Sequence, residues 1–439
     1  MQQRVLSSDL LLHEGKPVAC AGWVRSVRDV GKLAFLIVAD RRGKFQAVVK
    51  DAKLLEQVKQ LGLEDVVTLE GKVRSDAKIK DGGVEIEATS ITVHSFADRK
   101  LPVDIAGKTG TSFEARFDHR VLDLRREKQQ AIFRIQHTIC SAFREYLGKE
   151  GFLEIHTPKI IATGTEGGAN LFPVIYFDKE AFLAQSPQFY KQMLVGSGFE
   201  RVFEVAPVYR AEEHDTPFHL NEYVSLDFEF GFIQDELDVM AHTAGAVQNI
   251  FRRVVAENAR DLHTMGVALS VPKLPIPVID YWDIPKIMES RGKHFPDLLA
   301  DLSREDEEDL CSYAKEKWGS EFVFVNHYPA QKRPAYTMPY SQKPHEDGKY
   351  TRGFDLLYNG LEIVTGGQRV HQYELLKEKF AQKGYRIDDF DFYFEVFKYG
   401  MPPHGGQAIG LERLTMKMLG LSNVREAAFF PRDKKRLAP

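Results

Sequence analysis

Between residues 17 and 50 polar and apolar positions alternate and then run apolar, PVACAGWVRSVRDVGKLAFLIVADRRGKFQAVVK, the period-two signature of strands with a buried face. Strands are predicted over 17–27, 33–40 and 44–50, with a tight turn at Asp40-Arg41-Arg42-Gly43. A short helix over 54–61 follows, then strands over 66–73 and, past the Asp81-Gly82-Gly83 turn, over 84–94. Five strands and one helix predict a small Greek-key barrel of the oligonucleotide-binding (OB) type, whose sheet face stacks bases on aromatics.

Residues 101–126 lose the alternation. Pro102, Gly107 and Gly110 in a charged stretch mark a hinge between an N-terminal domain, 1–100, and a larger one, 127–439. From Glu127, the positions Ile132, Ile135, Ile139, Phe143 and Tyr146 recur at helical spacing, and Gly148 is the expected stop. A strand then runs to Pro158. The β-branched and aromatic stretches 202–209 and 223–230 read as paired strands. The loop between them, with Arg210, Glu212, Glu213, His214 and His219, is longer and more charged than a tight turn requires. A helix is expected over 235–258, a charged, mostly helical insertion at about 283–318, and strands over 322–325, 356–365 and 392–397. Gly405-Gly406 would open a last helix and Gly420 close it. The class is therefore α+β: a five-stranded OB-fold barrel, then an antiparallel sheet core flanked by helices.

A chain of 439 residues exceeds one ordinary core and implies two or three domains. With 43% hydrophobic and 28% charged residues it is not a disordered chain, and no run of ~18 apolar residues spans a membrane. The start, MQQRVLSSDL, lacks a basic region followed by an apolar core, so no secretory leader is expected. Cys20, Cys140 and Cys311 lie too far apart for a metal spacing or a disulfide framework, which fits a reducing cytoplasm. The net charge of −4 is unevenly shared: residues 1–100 carry 17 Lys+Arg against 14 Asp+Glu, the remainder 42 against 49. A slightly basic first module suits a polyanion.

Arg210-Ala211-Glu212, then His219 and Tyr223, resembles motif 2 of the class II aminoacyl-tRNA synthetases. Gly151-Phe152-Leu153-Glu154-Ile155-His156-Thr157-Pro158 resembles motif 1, and Gly406-Gln407-Ala408-Ile409-Gly410-Leu411-Glu412-Arg413 motif 3. Three motifs in family order are far rarer by chance than one. A barrel ahead of such a core is similar to the aspartyl, asparaginyl and lysyl branch. Within it, Thr165-Glu166-Gly167-Gly168, Gln185-Ser186-Pro187-Gln188-Phe189-Tyr190-Lys191 and Gly366-Gly367-Gln368-Arg369 resemble the archaeal, non-discriminating type of aspartyl-tRNA synthetases.

The resemblance implies a ligase that activates L-aspartate with ATP and Mg²⁺ and transfers it to the 3′ end of tRNA(Asp). It leaves tRNA(Asn) open as a second acceptor, and with it a partner amidotransferase. A homodimer built on the helix from Glu127 and the motif-1 strand is implied as well. Joining a carboxylate to a phosphate brings anion against anion, so the site must be cationic. The family's pattern assigns Arg210, Arg413 and Glu362 to catalysis. It gives ATP Arg210, Ala211, Glu212, His219, Leu220, Glu362, Gly410, Leu411, Glu412 and Arg413. For aspartate it implies Lys191 and Arg369 on the side-chain carboxylate and Glu166 and Gln188 on the ammonium, with Arg210 and Thr365 nearby. In the barrel Phe35 would stack on an anticodon base, and Arg28, Gln46 and Glu70 would bond base edges.

The metal site also follows from strand geometry. A two-residue turn at Asn359-Gly360 sets Leu357 opposite Glu362 and makes Asp355 its diagonal neighbour, roughly 7 Å away. Two converging carboxylates call for a cation, and oxygen ligands suit Mg²⁺. Thr365 supplies a hydroxyl by resemblance. Three positions depart from the family pattern: Phe218 stands for a usual Arg, Gln407 for a usual Phe, and Asn170 where Glu occurs. An asparaginyl enzyme, a tRNA-binding paralogue without activation, and a small-molecule amide ligase stay open as alternatives.

Overall fold

The computed structural model describes residues 4–438 apart from 76–78, 80–82, 108, 165–169, 214–215, 296–298 and 346–347. It divides into two compact units, Met1–Arg116 and Phe117–Pro439. In the first, β1 (Pro17–Asp29), β2 (Ala34–Asp40), β3 (Gly43–Val49), β4 (Val66–Ser75) and β5 (Val84–Ser95) close a barrel in the order β1-β2-β3-β5-β4. All five lie where the alternation placed them. Val18, Cys20, Leu36, Val38, Leu69 and Ile86 fill the interior. The Ala52–Val58 helix is capped by Asp51, whose side chain accepts the N–H groups of Lys53 and Leu54. A 3₁₀ turn at Ser7–His13 carries no periodic signature in the sequence.

The second unit adds β6 (Leu153–Glu154), a small sheet of β7 (Ile160–Ile161), β8 (Pro173–Tyr176) and β9 (Lys179–Leu183), then β10 (Arg201–Tyr209) and β11 (Glu222–Gly231). β12 (Val278–Asp280), β13 (Phe322–Asn326), β14 (Gly353–Tyr358), β15 (Glu362–Arg369) and β16 (His404–Gly410) complete it. The large sheet runs β12-β13-β14-β15-β16-β11-β10-β6, antiparallel except for parallel pairs at its two edges. The Glu127–Lys149 and Glu236–Glu257 helices share a core with one sheet face. Ile132, Ile135, Ile139 and Phe143 meet Leu226, Phe228 and Phe230 there, beside Val239 and Ile250. Alternation along β11 therefore turns Ser225, Asp227 and Glu229 to the opposite face. No helix among the described residues is long and apolar enough to cross a membrane.

Three local expectations are corrected. Residues 392–397 lie in a helix, Asp391–Lys398, because their aromatics serve one helical face: Tyr393, Phe394 and Phe397 pack with Phe189 and Phe380. Gly148 does not stop its helix, which runs on to Lys149. The left-handed residue after it is Gly151, at φ +80°. Gly405 and Gly406 are strand residues of β16, and the last helix, Leu411–Leu419, starts after Gly410.

Gly406 is where the sheet leaves no room. A Cβ there would meet the Phe228 carbonyl oxygen at 2.1 Å and Glu229 Oε2 at 2.2 Å. The first obstacle is backbone and cannot swing away. Gly406→Ala should cost at least about 1–3 kcal/mol, read as a lowered urea midpoint at unchanged slope.

Candidate active site

The loop between β10 and β11 is held by Asn221 rather than by a tight turn. The Arg210 N–H donates to the Asn221 carbonyl at 2.9 Å, and Asn221 Nδ2 donates back to the Arg210 carbonyl at 2.7 Å. The pinned loop borders a cavity of about 90 Å³ that collects nearly all the residues expected around a nucleotide. Arg210, Glu212, His219, Leu220, Glu362, Gly410, Glu412 and Arg413 line it, whereas Ala211 and Leu411 do not; Thr365, expected at the aspartate and the metal, lines it as well. Arg413 Nε donates to the Phe218 carbonyl at 3.2 Å, and its Nη1 stands 3.9 Å from Glu362 Oε1. The Arg210 guanidinium lies 5.7 Å from the Tyr223 ring centre. Glu412 instead turns inward, where both its oxygens take the Val224 N–H at 3.2 and 3.1 Å. Burial pushes its carboxyl up to about 8.

β14 and β15 pair as the turn geometry required, Leu357 opposite Glu362. A bulge beyond that pair then sets Leu356 against Val364 and Asp355 against Thr365. Strict alternation would send Glu362 and Thr365 to opposite faces. The extra residue, Ile363, returns Thr365 to the face that carries Asp355 and Glu362.

Two neighbours of this trio have no signature in the sequence. Arg333 donates from Nη2 to Asp355 Oδ2 at 2.7 Å and from Nη1 to Thr365 Oγ1 at 2.9 Å, with its guanidinium 3.8 Å from the Tyr328 ring centre. Its loop is secured by His327, whose Nδ1 and Nε2 lie 2.8 Å from Asp280 Oδ1 and Glu236 Oε1. Glu307, from the inserted Arg304–Trp318 helix, accepts the Glu362 N–H at 3.3 Å. Burial and then the charge of Asp355 lift Glu362 to about 6, against Arg413, Arg333 and Arg210. Burial and then Glu362 lift Glu307 to about 8.

The donor set suits a hard divalent cation. Glu362 exposes 34% of its side chain to the cavity, and buried Asp355 Oδ1 makes no hydrogen bond. Among the described residues no three His, Cys, Asp or Glu side chains converge as ligands. A metal here would complete its shell with a hydroxyl, water and phosphate, the Mg²⁺ habit.

A second cavity, of about 420 Å³, shares Arg210, Ser225, Glu362, Thr365 and Ala408 with the first. Gln188, Asp227 and Arg369 line it, and Lys191 is fully buried beside them. Here Lys191, Arg369 and Gln188 converge as expected, but on two acids that the motifs do not include. Lys191 Nζ donates to Asp227 Oδ1 at 2.7 Å and lies 3.6 Å from Glu229 Oε2. Arg369 Nε donates to Glu229 Oε1 at 2.9 Å, and Gln188 Nε2 to Glu229 Oε2 at 3.2 Å. Burial alone would raise the Glu229 pKa, yet Arg369 and then Lys191 outweigh it and hold the carboxyl below its ordinary range. A signal was present: an apolar strand with acids at alternate positions, Asp227 and Glu229. Gln407 is interior, with its carbonyl accepting from Lys191 Nζ at 3.3 Å. Glu166 lies outside the described residues.

Residues 112–434 match the family model described as "tRNA synthetases class II (D, K and N)". The chain belongs to that family. Residues 18–93 match the model described as "OB-fold nucleic acid binding domain". The chain is 44% identical to the aspartate–tRNA(Asp/Asn) ligase of Archaeoglobus fulgidus over 99% of its own length and 100% of the relative's. It is likewise 44% identical to the aspartate–tRNA(Asp) ligase of Pyrococcus furiosus, over 97% of both. Among solved structures, asparaginyl-tRNA synthetase from Pyrococcus horikoshii complexed with asparaginyl-adenylate is similar at TM-score 0.92 and 30% identity, covering both chains fully. A putative aspartyl-tRNA synthetase from Leishmania major is similar at 0.91 and 28%, covering this chain fully and 94% of that one.

In the OB-fold unit of this class II synthetase, Arg28 pairs with Phe35 across β1 and β2. Phe35 alternates with the buried Ala34 and Leu36, so it sits on the outer wall, half-buried. Gln46, opposite Ile37, shares that wall and donates from Nε2 to Glu85 Oε2 at 2.8 Å. Glu70 falls elsewhere. Exposed on β4, it pairs with Ser90 and Ala19, nine positions along β1 from Arg28. Glu85 is the acid that the fold brings to the Phe35 face.

Glu412 gives the site unit a pH signature. An unfolded Glu loses its proton near 4.5, whereas the folded one keeps it to about 8. Between those values the native state binds more protons, so stability falls as pH rises. Glu412→Gln should match the unaltered chain near pH 4.5 and gain on it up to pH 8, by on the order of a few kcal/mol, in melting curves across pH.

Proposed function

We propose that this chain is an aspartate–tRNA ligase, which joins L-aspartate to the α-phosphate of ATP as aspartyl-adenylate with release of pyrophosphate and passes the aspartyl group to the 3′ end of tRNA(Asp) with release of AMP. The observation that carries the reading is the pairing of the two cavities. One is flanked by Arg210 and Arg413, the other is lined by Arg369 and Gln188 with Lys191 buried behind Asp227, and they share Arg210, Glu362 and Thr365. The names of the relatives support the same choice.

Arg210, common to both cavities, neutralises charge where the aspartate carboxylate approaches the α-phosphate, and Arg413 steadies the phosphates from the far wall. Fixed guanidinium donors strengthen as charge builds on the reacting oxygens, and no side chain has to act as base. Asp355, Glu362 and Thr365 would hold Mg²⁺, which supplies further charge neutralisation at the phosphates. Arg369, held by Glu229 through Nε and by the Gly406 carbonyl through Nη2, meets the substrate's side-chain carboxylate with its remaining donors, with Lys191 adding charge from beneath. Glu166 and Gln188 serve the ammonium. In the barrel Phe35 stacks on an anticodon base, with Arg28, Gln46 and Glu85 at base edges. A cytoplasmic homodimer is part of this reading.

The second reading, an asparaginyl enzyme, is favoured by one observation: Asp227 and Glu229 cancel the charges of Lys191 and Arg369. Pyrophosphate exchange decides. Dependence on aspartate and not asparagine is expected, and the reverse would sink the assignment. Arg369→Lys should raise KM for aspartate on the order of tenfold or more, with KM for ATP little changed.

Phe35→Ala should leave exchange untouched but lower the charging kcat/KM for tRNA by about 10-fold, the worth of one stacked base. Charging of transcripts bearing the aspartate and asparagine anticodons sets the acceptor range. Use of both would require an amidotransferase to convert aspartyl-tRNA(Asn).

A further inference from the structure

The inserted Arg304–Trp318 helix matches none of the synthetase motifs, yet its first turns touch two residues that line the nucleotide pocket, Phe218 and Glu362. Ser303 starts it with a reciprocal cap to Asp306. Arg304, Glu307 and Cys311 fall three and four residues apart, along one face. Glu307 docks that face on the first residue of β15 by accepting the Glu362 N–H at 3.3 Å. One turn earlier, Arg304 brings its guanidinium to 4.4 Å from the Phe218 ring centre. Phe218 is a wall of the nucleotide pocket, and its carbonyl is the acceptor for Arg413 Nε.

The donors of Arg304 are unevenly used. Nε donates to Glu308 Oε1 at 2.9 Å, whereas Nη1 is buried and makes no hydrogen bond. A buried charged donor without an acceptor is costly, and such groups mark places where an acceptor arrives with a ligand. A guanidinium over a ring face leaves its N–H groups free to point sideways, away from the ring.

Charge points the same way. Arg210 and Arg413 in the pocket are matched by Glu212 and Glu362, with Glu412 held largely protonated near neutral pH. A nucleoside triphosphate thus brings several negative charges to walls that sum to none, and a third guanidinium against the Phe218 wall reduces the deficit.

We propose that Arg304 is a nucleotide-binding residue of this enzyme, its Nη1 donating to a phosphate oxygen of ATP while Phe218 holds the guanidinium at the pocket wall. The insertion is then a working part of the activation site. The proposal rests on the ATP-dependent reading above.

The test is aspartate-dependent pyrophosphate exchange by the full chain, with melting temperatures recorded for every variant. Arg304→Ala should raise KM for ATP on the order of tenfold and leave KM for aspartate unchanged. Arg304→Lys, which keeps the charge and loses the fork, should fall between. Phe218→Arg in the Arg304→Ala background should recover part of the loss, since it returns a guanidinium to the same wall. An unchanged KM for ATP in Arg304→Ala overturns the proposal even if the melting temperature falls, because a guanidinium that only packs on Phe218 alters stability alone. Should Arg304→Ala fail to fold, Arg304→Lys decides the matter by the same split between the two KM values. No exchange by the unaltered chain would overturn the ligase reading itself, and with it this inference, before any variant is made.

Discussion

Asp227 and Glu229 occupy alternate positions on a central strand, away from bulk water, and their charges are balanced by Lys191 and Arg369. Leaving any one of the four unpaired there would cost several kcal/mol. The four must therefore assemble together, and they come from three places: β11 for the acids, the Gln188–Leu194 helix for Lys191, the end of β15 for Arg369. Satisfying them sets the strand order and the distance between β11, β16 and β15. It also explains why Gly406, beside Glu229, carries no side chain. The same network leaves Arg369 rigid and aimed into the cavity, the preorganisation that recognition of a carboxylate needs.

Compensation is less complete one layer out. Asp355, Glu362 and Glu307 gather near one another, Arg333 pairs with Asp355, and Glu362 and Glu307 are held above the usual carboxylate range. The second unit thus stores unspent electrostatic demand beside the cavity of Arg210 and Arg413 and little of it under the one lined by Arg369. That division fits the proposed function, in which one substrate arrives with phosphates and the other as a small amino acid.

Much of this was legible in the chain. The barrel strands matched their alternation, the Asn359-Gly360 turn set the first pairs of its hairpin, and most expected nucleotide contacts share one pocket. Local rules failed where one residue type serves two periods or where a partner is distant. The aromatics at 392–397 satisfy a strand pattern and a helical face equally. Glu70 and Glu85 look alike in sequence, and only barrel closure separates them.

The sequence by itself determined the α+β class and the barrel, because these are written in periodicity, and its short motifs singled out Arg210, Arg413, Glu362, Lys191 and Arg369 as candidates. Only the tertiary structure decided who their partners are. Arg333 and Asp355 are 22 residues apart, Lys191 and Asp227 36, and Arg369 and Glu229 140. Contacts at such separations follow from sheet order and packing, which no local pattern encodes, and the bulge that brings Thr365 to the Glu362 face is set by the strands around it.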